Sequence, residues 1–123
     1  MKPGRTGIAR LIAATGYSWR GIRATFSNEA AFRQELLLAA VLFAASFEVA
    51  ATLVEWLLLV LPLFVLLIVE LLNSAVESVV DRIGNEPHTL SGQAKDMGSA
   101  AVLFSLLMLA AAWIPLLWNY FND

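Results

Sequence analysis

Residues 56–69 read WLLLVLPLFVLLIV, an apolar run with no charged side chain. The chain then continues in a helical pattern to Ile83, where Gly84 and Pro87 predict a stop. A helix over 52–83 would be about 48 Å long, which exceeds the roughly 30 Å hydrocarbon core of a bilayer. The stretch therefore predicts a transmembrane helix whose C-terminal part extends into the cytoplasmic interface.

The preceding segment, residues 36–54, is also apolar, apart from Ser46, Glu48 and Thr52. Together the two segments contain too many apolar residues for one crossing. A tight outer turn around 48–52 would separate them, which predicts another transmembrane helix over about 30–47.

A third apolar segment, residues 97–121, follows a polar loop at 84–96. We expect a helix over about 92–121, with Ser91 as its N-cap. Hydrophobic residues make up 59% of the chain, against roughly 45–50% in soluble proteins. The sequence thus predicts an all-α protein in which residues 1–123 form a single membrane domain.

Charge and aromatic residues give this domain an orientation. The basic residues that precede the first apolar run are Lys2, Arg5, Arg10, Arg20, Arg23 and Arg33. Such a bias predicts a cytoplasmic N-terminus. The aromatic residues expected together at the outer interface are Trp56, Trp113, Trp118 and Tyr120. The net charge of −2 gives no support for nucleic-acid binding, and the absence of cysteine excludes disulfides and thiolate metal sites.

The N-terminal segment has the pattern of an amphipathic helix over about 6–26. Its apolar residues share an arc of about 100°: Ile8, Leu11, Ile12, Trp19, Ile22 and Phe26. We expect this helix to lie on the anionic cytoplasmic surface of the membrane. Gly16 and Gly21 are candidate breaks in it.

A stripe of polar residues runs down the long helix. Glu70, Asn73, Glu77 and Asp81 share about 80° of arc. Glu70 would lie about 27 Å below the outer turn, near the inner edge of the hydrocarbon, and Glu77 among the head groups. Ionisable groups inside a membrane are functional by default, whereas Asp81 is as readily a solvated residue at a helix end. The alternative for the whole stripe is a polar face that packs against other helices.

The two depths suit two chemical roles. A partly desolvated carboxylate at Glu70 is a better proton acceptor and would meet a lipid hydroxyl. Glu77 lies where a hydrated cation could reach, and magnesium is commonly held by one or two carboxylates together with substrate phosphates. Glu29 is either a second magnesium ligand or the partner of Arg33 in an i,i+4 salt bridge.

Other polar residues carry weaker signals. Lys95, with Asp96 as its partner, offers a charge for phosphate, and His88 alone does not support a zinc site. The sequence contains neither a GxxxxGK[ST] loop nor the protein-kinase motifs. The residues alone are compatible with phosphoryl transfer to a lipid, with proton or cation movement, and with a structural subunit whose small residues 98–101 pack helices.

Three blocks of sequence closely resemble the prokaryotic integral-membrane diacylglycerol kinases: NEAAFRQE at 28–35, VELLNSAVE at 69–77 and AKDMGSAAV at 94–102. GYSW at 16–19, Trp113 and Trp118 extend the likeness over nearly the whole chain. The termini and the outer turn at 48–56 depart from the family pattern, as does Pro87 in the inner loop.

The resemblance implies a homotrimer in the bacterial inner membrane that transfers the γ-phosphoryl group of Mg-ATP to diacylglycerol and has sites shared between protomers. Glu70 would be the general base, supported by Asn73, and Glu29 and Glu77 would bind Mg²⁺. The positions that match nucleotide contacts are Arg10, Tyr17, Glu29, Glu77, Glu86, His88, Lys95 and Asp96. The positions that match the lipid side are Ala14, Trp19, Arg23, Gln34, Glu35, Glu70, Ser99, Trp113 and Trp118. A kinase of the same family that acts on undecaprenol is the nearest alternative.

Overall fold

The computed structural model describes residues 6–123 and contains four helices within them. They are α1 (Gly7–Asn28), α2 (Ala30–Val49), α3 (Leu53–Ile83) and α4 (Thr89–Asn122). Helices α2, α3 and α4 are each long and apolar enough to cross a membrane, which confirms the prediction of an all-α chain with three such helices. Lys2 and Arg5, which contribute to the predicted charge bias, lie outside the described residues.

Two details of the helices differ from possibilities that the sequence raised. Helix α4 begins at Thr89, ahead of the predicted position 92, because the side chain of His88 caps it: Nδ1 accepts a hydrogen bond from the Leu90 N–H at 3.1 Å. Ser91 therefore lies inside the first turn. Helix α1 runs through Gly16 and Gly21 without a break, because a single glycine costs a helix only about 1 kcal/mol.

Helix α3 is the centre of the bundle and packs against both α4 and α2. Its core residues Leu59, Leu63 and Leu66 recur at intervals of three and four, so that they share one face. They pack on Ala39 of α2 and Trp113 of α4. This face fixes the rotation of α3, and therefore also the direction in which its polar stripe points.

Trp113 lies in this core and not among exposed interfacial aromatics. Its side chain is 3% exposed, and its Nε1 donates to the Leu59 carbonyl at 2.9 Å. Pro62 cannot donate to the Leu58 carbonyl, and its ring disturbs this turn of α3. Because unpaired backbone groups are costly inside a membrane, neighbouring helices commonly supply partners at such turns. The Trp113 bond joins α4 to the turn of α3 that contains Pro62, at the Leu59 carbonyl beside that of Leu58.

The turn between α2 and α3 is held by side chains. Thr52 Oγ1 accepts from the Glu55 N–H at 3.2 Å, which caps the N-terminus of α3. At the same end of the bundle, Tyr120 donates to Glu48 Oε1 at 2.8 Å and joins the end of α4 to the end of α2. Trp56 packs here against the phenylalanines of α2. This end is therefore closed by an aromatic and hydrogen-bonded cluster.

Helix α1 lies at the opposite end of the bundle and contacts α2 and α3. It buries none of its residues within the chain. Glu29 alone connects it to α2, with an extended backbone (φ −121°, ψ 109°). The chain therefore bends sharply at a residue that the sequence marks as a candidate metal ligand.

Candidate active site

The site is built first on one face of α3. Glu70, Asn73 and Glu77 are three and four residues apart, so a single face carries all three side chains. Glu70 is 4% exposed, and Asn73 Nδ2 donates to Glu77 Oε1 over a long 3.5 Å. Asp81, the last residue of the predicted stripe, is exposed and pairs elsewhere. The stripe therefore divides into a buried carboxyl, an amide bridge and a solvated end.

Helix α2 adds a second carboxyl group to the site. The Glu35 carboxyl group lies beside that of Glu70, and Glu35 Oε2 is buried without a hydrogen-bond partner within residues 6–123. The carboxyl groups of Glu77 and Glu29 lie on the same side of the bundle. Within residues 6–123 no basic side chain forms an ion pair with any of these four groups. The arrangement is therefore complementary to a cation and to a group that gives up a proton.

Glu29 does not form the predicted salt bridge with Arg33 within the described chain. Arg33 Nη1 instead donates to the carbonyls of Phe26 at 2.6 Å and Ser27 at 3.3 Å, in the last turn of α1. The i,i+4 rule fails here because it assumes that both residues are helical, whereas Glu29 has an extended backbone. The Glu29 carboxylate is consequently left for another partner.

Helix α4 approaches the site through Gly98. A Cβ atom placed on this residue would overlap Asn73 Oδ1 and lie 3.1 Å from Asn73 Cγ. Asn73 Oδ1 is buried and accepts no hydrogen bond in the structure. Only glycine leaves room for the amide that bridges to Glu77. Sequence reasoning treated Gly98 as a packing residue, since nothing in the sequence shows that it faces Asn73.

A cleft of about 400 Å³ opens where α3, the inner loop and the start of α4 meet. Lys95 Nζ lies 2.8 Å from Asp81 Oδ1 across it. The expected partner, Asp96, follows Lys95 directly, and adjacent helical residues do not face each other. Glu86 and His88 also line the cleft. His88 uses Nδ1 in its cap, which leaves Nε2 for a ligand.

A second cleft, of about 460 Å³, lies between α1 and α3 and reaches Glu29. Ser74 lines it, and the Ser74 hydroxyl is buried without a hydrogen-bond partner. On α1, the Arg20 guanidinium lies 4.9 Å from the centre of the Tyr17 ring. The cleft therefore combines small apolar residues with polar groups near the carboxylates.

The structure brings together only part of the predicted site. The residues that converge are Glu29, Glu35, Glu70, Asn73 and Glu77. The residues that remain exposed, and that make no side-chain hydrogen bond or ion pair within residues 6–123, are Arg10, Trp19, Arg23, Gln34, Glu86, Asp96, Ser99 and Trp118. Ala14 and Tyr17 are half-buried, and Trp113 belongs to the core.

Comparison with known proteins assigns the family. The model of the prokaryotic diacylglycerol kinase family matches residues 16–117. The chain belongs to this family. It is 52% identical over 119 residues to a protein named diacylglycerol kinase from Escherichia coli (strain K12), covering 95% of this chain and 96% of the relative. A relative of the same name from Haemophilus influenzae is 46% identical over 108 residues, covering 88% of this chain and 92% of the relative. Another from Pseudomonas aeruginosa is 46% identical over 114 residues, covering 93% of each chain.

The match to the prokaryotic diacylglycerol kinase family confirms the resemblance predicted from the three sequence blocks. All of those blocks lie inside residues 16–117, and so do the converging carboxylates. Arg10, Ala14 and Trp118 lie outside the part matched by the family model, although the similarity to the relatives extends over nearly the whole chain.

Proposed function

We propose that this protein transfers the γ-phosphoryl group of ATP to the free hydroxyl of diacylglycerol and forms phosphatidic acid. The observation that carries the proposal is Glu70. It is a buried carboxyl group on a membrane-spanning helix, beside Glu35 and about two turns from Glu77, in a chain of the prokaryotic diacylglycerol kinase family. The names of the relatives favour diacylglycerol over undecaprenol as the acceptor.

Glu70 is the proposed general base. Its carboxylate takes the proton of the lipid hydroxyl while that oxygen attacks the γ-phosphorus, and the bond to the β-phosphate bridging oxygen breaks to release ADP. Burial suits this role, because a desolvated carboxylate accepts a proton more readily than a hydrated one. Phosphoryl transfer otherwise needs mainly positioning and charge neutralisation. Asn73 holds Glu77 in place on the same face.

Glu29 and Glu77 are the proposed ligands of Mg²⁺. Within residues 6–123 no group of three or more His, Cys, Asp or Glu side chains has metal-binding geometry. Two carboxylates can be enough for magnesium, since it commonly takes one or two of them and completes its shell with water and substrate phosphates. The bound ion would neutralise charge on the phosphates. By holding the ion, Glu29 and Glu77 would set the position of the terminal phosphate of ATP.

The nucleotide would extend from these carboxylates toward the inner loop. Lys95 and His88 line the cleft there, and Lys95 would attract phosphate charge. The remaining proposed nucleotide contacts are Arg10, Tyr17, Glu86 and Asp96. Pro87 stands between Glu86 and His88 and limits the freedom of the loop.

The lipid would enter from the bilayer with its hydroxyl at Glu70. Glu35 would contact the same hydroxyl, because its carboxyl group lies beside that of Glu70. The other proposed lipid-side residues are Ala14, Trp19, Arg23, Gln34, Ser99 and Trp118. Trp113 acts on the lipid only indirectly, since its side chain is enclosed in the core.

The proposal includes a homotrimer in the bacterial inner membrane, with shared sites, a cytoplasmic N-terminus and α1 on the cytoplasmic surface. Three observations support it. The basic residues cluster before α2, and the aromatic cluster lies at the opposite end of the bundle. Large apolar side chains of α2, α3 and α4 are exposed in the single chain, which leaves them available to lipid or to other chains.

The test is transfer of labelled γ-phosphate from Mg-ATP in mixed micelles that contain either diacylglycerol or undecaprenol. We expect labelled phosphatidic acid from the purified protein and little labelled undecaprenyl phosphate. Preferential labelling of undecaprenol would move the assignment to the other lipid. No labelled lipid from a folded protein with both ATP and magnesium present would reject the kinase, and flux of protons or cations through vesicles would then be measured.

A further inference from the structure

Arg33 joins the end of α1 to the start of α2. The last carbonyls of a helix have no partner within it, and the last turn of α1 contains no basic residue. Arg33 supplies what α1 lacks, since Nη1 donates to the carbonyls of Phe26 and Ser27 at 2.6 and 3.3 Å. Its positive charge also lies at the negative end of the α1 dipole.

This contact has no counterpart elsewhere on α1. Among the side-chain hydrogen bonds within residues 6–123, those of Arg33 alone join α1 to another helix; the side-chain bonds of Thr15, Ser18 and Thr25 stay inside α1. Helix α1 also buries no residue. Apolar packing therefore does little to fix its direction. Within residues 6–123 the guanidinium adds side-chain hydrogen bonds across the bend to the backbone bonds that Glu29 makes with Thr25 and Arg33.

We infer that Arg33 is a positioning residue that sets the angle between α1 and α2 and thereby aims the Glu29 carboxylate at the proposed metal site. The inference rests on the proposed function for its chemical consequence, but the restraint itself does not. Arg33 acts through the backbone, because it donates to the carbonyls of α1 and does not pair with the carboxylate of Glu29. A planar guanidinium with several donors suits two neighbouring carbonyls better than the single nitrogen of lysine.

The first readout is the angle of α1, measured without reference to activity. The sequence has no cysteine, so the exposed residues Thr15 and Val79 can be changed to Cys and spin-labelled in an otherwise unchanged chain. Labelled chains are diluted with unlabelled ones so that only intrachain distances are recorded. We expect a single narrow distance distribution for the parent, a broad or shifted one for Arg33→Met, and an intermediate one for Arg33→Lys.

The second readout is the magnesium dependence of phosphoryl transfer. Arg33→Met should raise the Mg²⁺ concentration for half-maximal rate about tenfold and change the rate at saturating Mg²⁺ much less, because the ligand is displaced and the base is not. Arg33→Lys should recover part of this loss. Arg82→Met is the control, since it removes an exposed arginine at the end of α3 that makes no side-chain hydrogen bond or ion pair within residues 6–123.

An unchanged distance distribution in Arg33→Met would overturn the restraint. A changed distribution with unchanged magnesium dependence would overturn the positioning role. If the parent transfers no phosphate to any lipid, the proposed function fails and the link to the metal site fails with it, while the distance measurement still decides whether Arg33 holds the bend.

Discussion

At the scale of single residues, Glu70 combines burial with the proposed proton transfer. Glu70→Gln keeps the shape of the side chain, but an amide cannot accept the hydroxyl proton. We expect turnover to fall by about 10²–10⁴ and the affinity for Mg-ATP to stay close to that of the parent. Initial rates and nucleotide binding to the purified protein measure the two effects. The same substitution at Glu48, at the outer end, is the control, and full turnover in Glu70→Gln would reject the base assignment.

Substitution of Glu77 should change the magnesium requirement more than the turnover, in contrast to substitution of Glu70. Glu77→Gln removes a negative charge from the proposed magnesium site, so we expect the Mg²⁺ requirement to rise about tenfold or more and the rate at saturating Mg²⁺ to fall less. A titration of Mg²⁺ at fixed ATP measures this, and Glu29→Gln should behave alike. If either variant has the magnesium dependence of the parent, the residue changed in it is not a ligand.

At the scale of helices, the contact between Gly98 and Asn73 decides how closely α3 and α4 approach. Gly98→Ala adds a methyl group where Asn73 Oδ1 lies, and we expect a loss of about 1–3 kcal/mol of stability together with displacement of the Asn73 amide. Thermal unfolding in detergent measures the loss. Gly92→Ala is the stability control, because it adds the same methyl group to the same helix with nothing within 4 Å.

A double-mutant cycle tests the cause of this loss. In a chain that carries Asn73→Ala, the added methyl group at position 98 has space, so Gly98→Ala should then cost little further stability. Equal costs of Gly98→Ala in the two backgrounds would show that the methyl group meets something other than Asn73.

The same elements show what a sequence can predict. Long apolar runs dictate the three spanning helices, because an apolar helix is the stable state of such a segment in a membrane. The polar face of α3 follows from helical spacing. Three features cannot be predicted from the sequence, because each depends on how two helices meet or bend. They are the Arg33 contact, the Lys95 pair with Asp81 and the space at Gly98. Pairing rules describe neighbours within one helix.

At the scale of the whole molecule, residues 6–123 of one chain supply no basic partner for Glu29, Glu35, Glu70 or Glu77. Lys95 forms a salt bridge with Asp81. Asp81 lies three turns beyond Glu70, or about 16 Å along the axis of α3. A second chain of the proposed trimer is the natural source of positive charge at Glu70. If sites are shared in this way, a mixture of two inactive variants should recover activity.

Chains with Glu70→Gln and chains with Lys95→Met should each be nearly inactive alone. If each site takes Glu70 from one chain and Lys95 from a neighbour, random mixing in equal amounts restores about a quarter of the sites, because a working site needs an intact residue from each of two independent chains. Co-expressed or co-refolded mixtures in the lipid phosphorylation assay should then recover about that share of parental activity. Mixtures no more active than the separate variants would place both residues of a site in one chain, and the Asp81 pair would then hold Lys95 at the nucleotide of its own protomer.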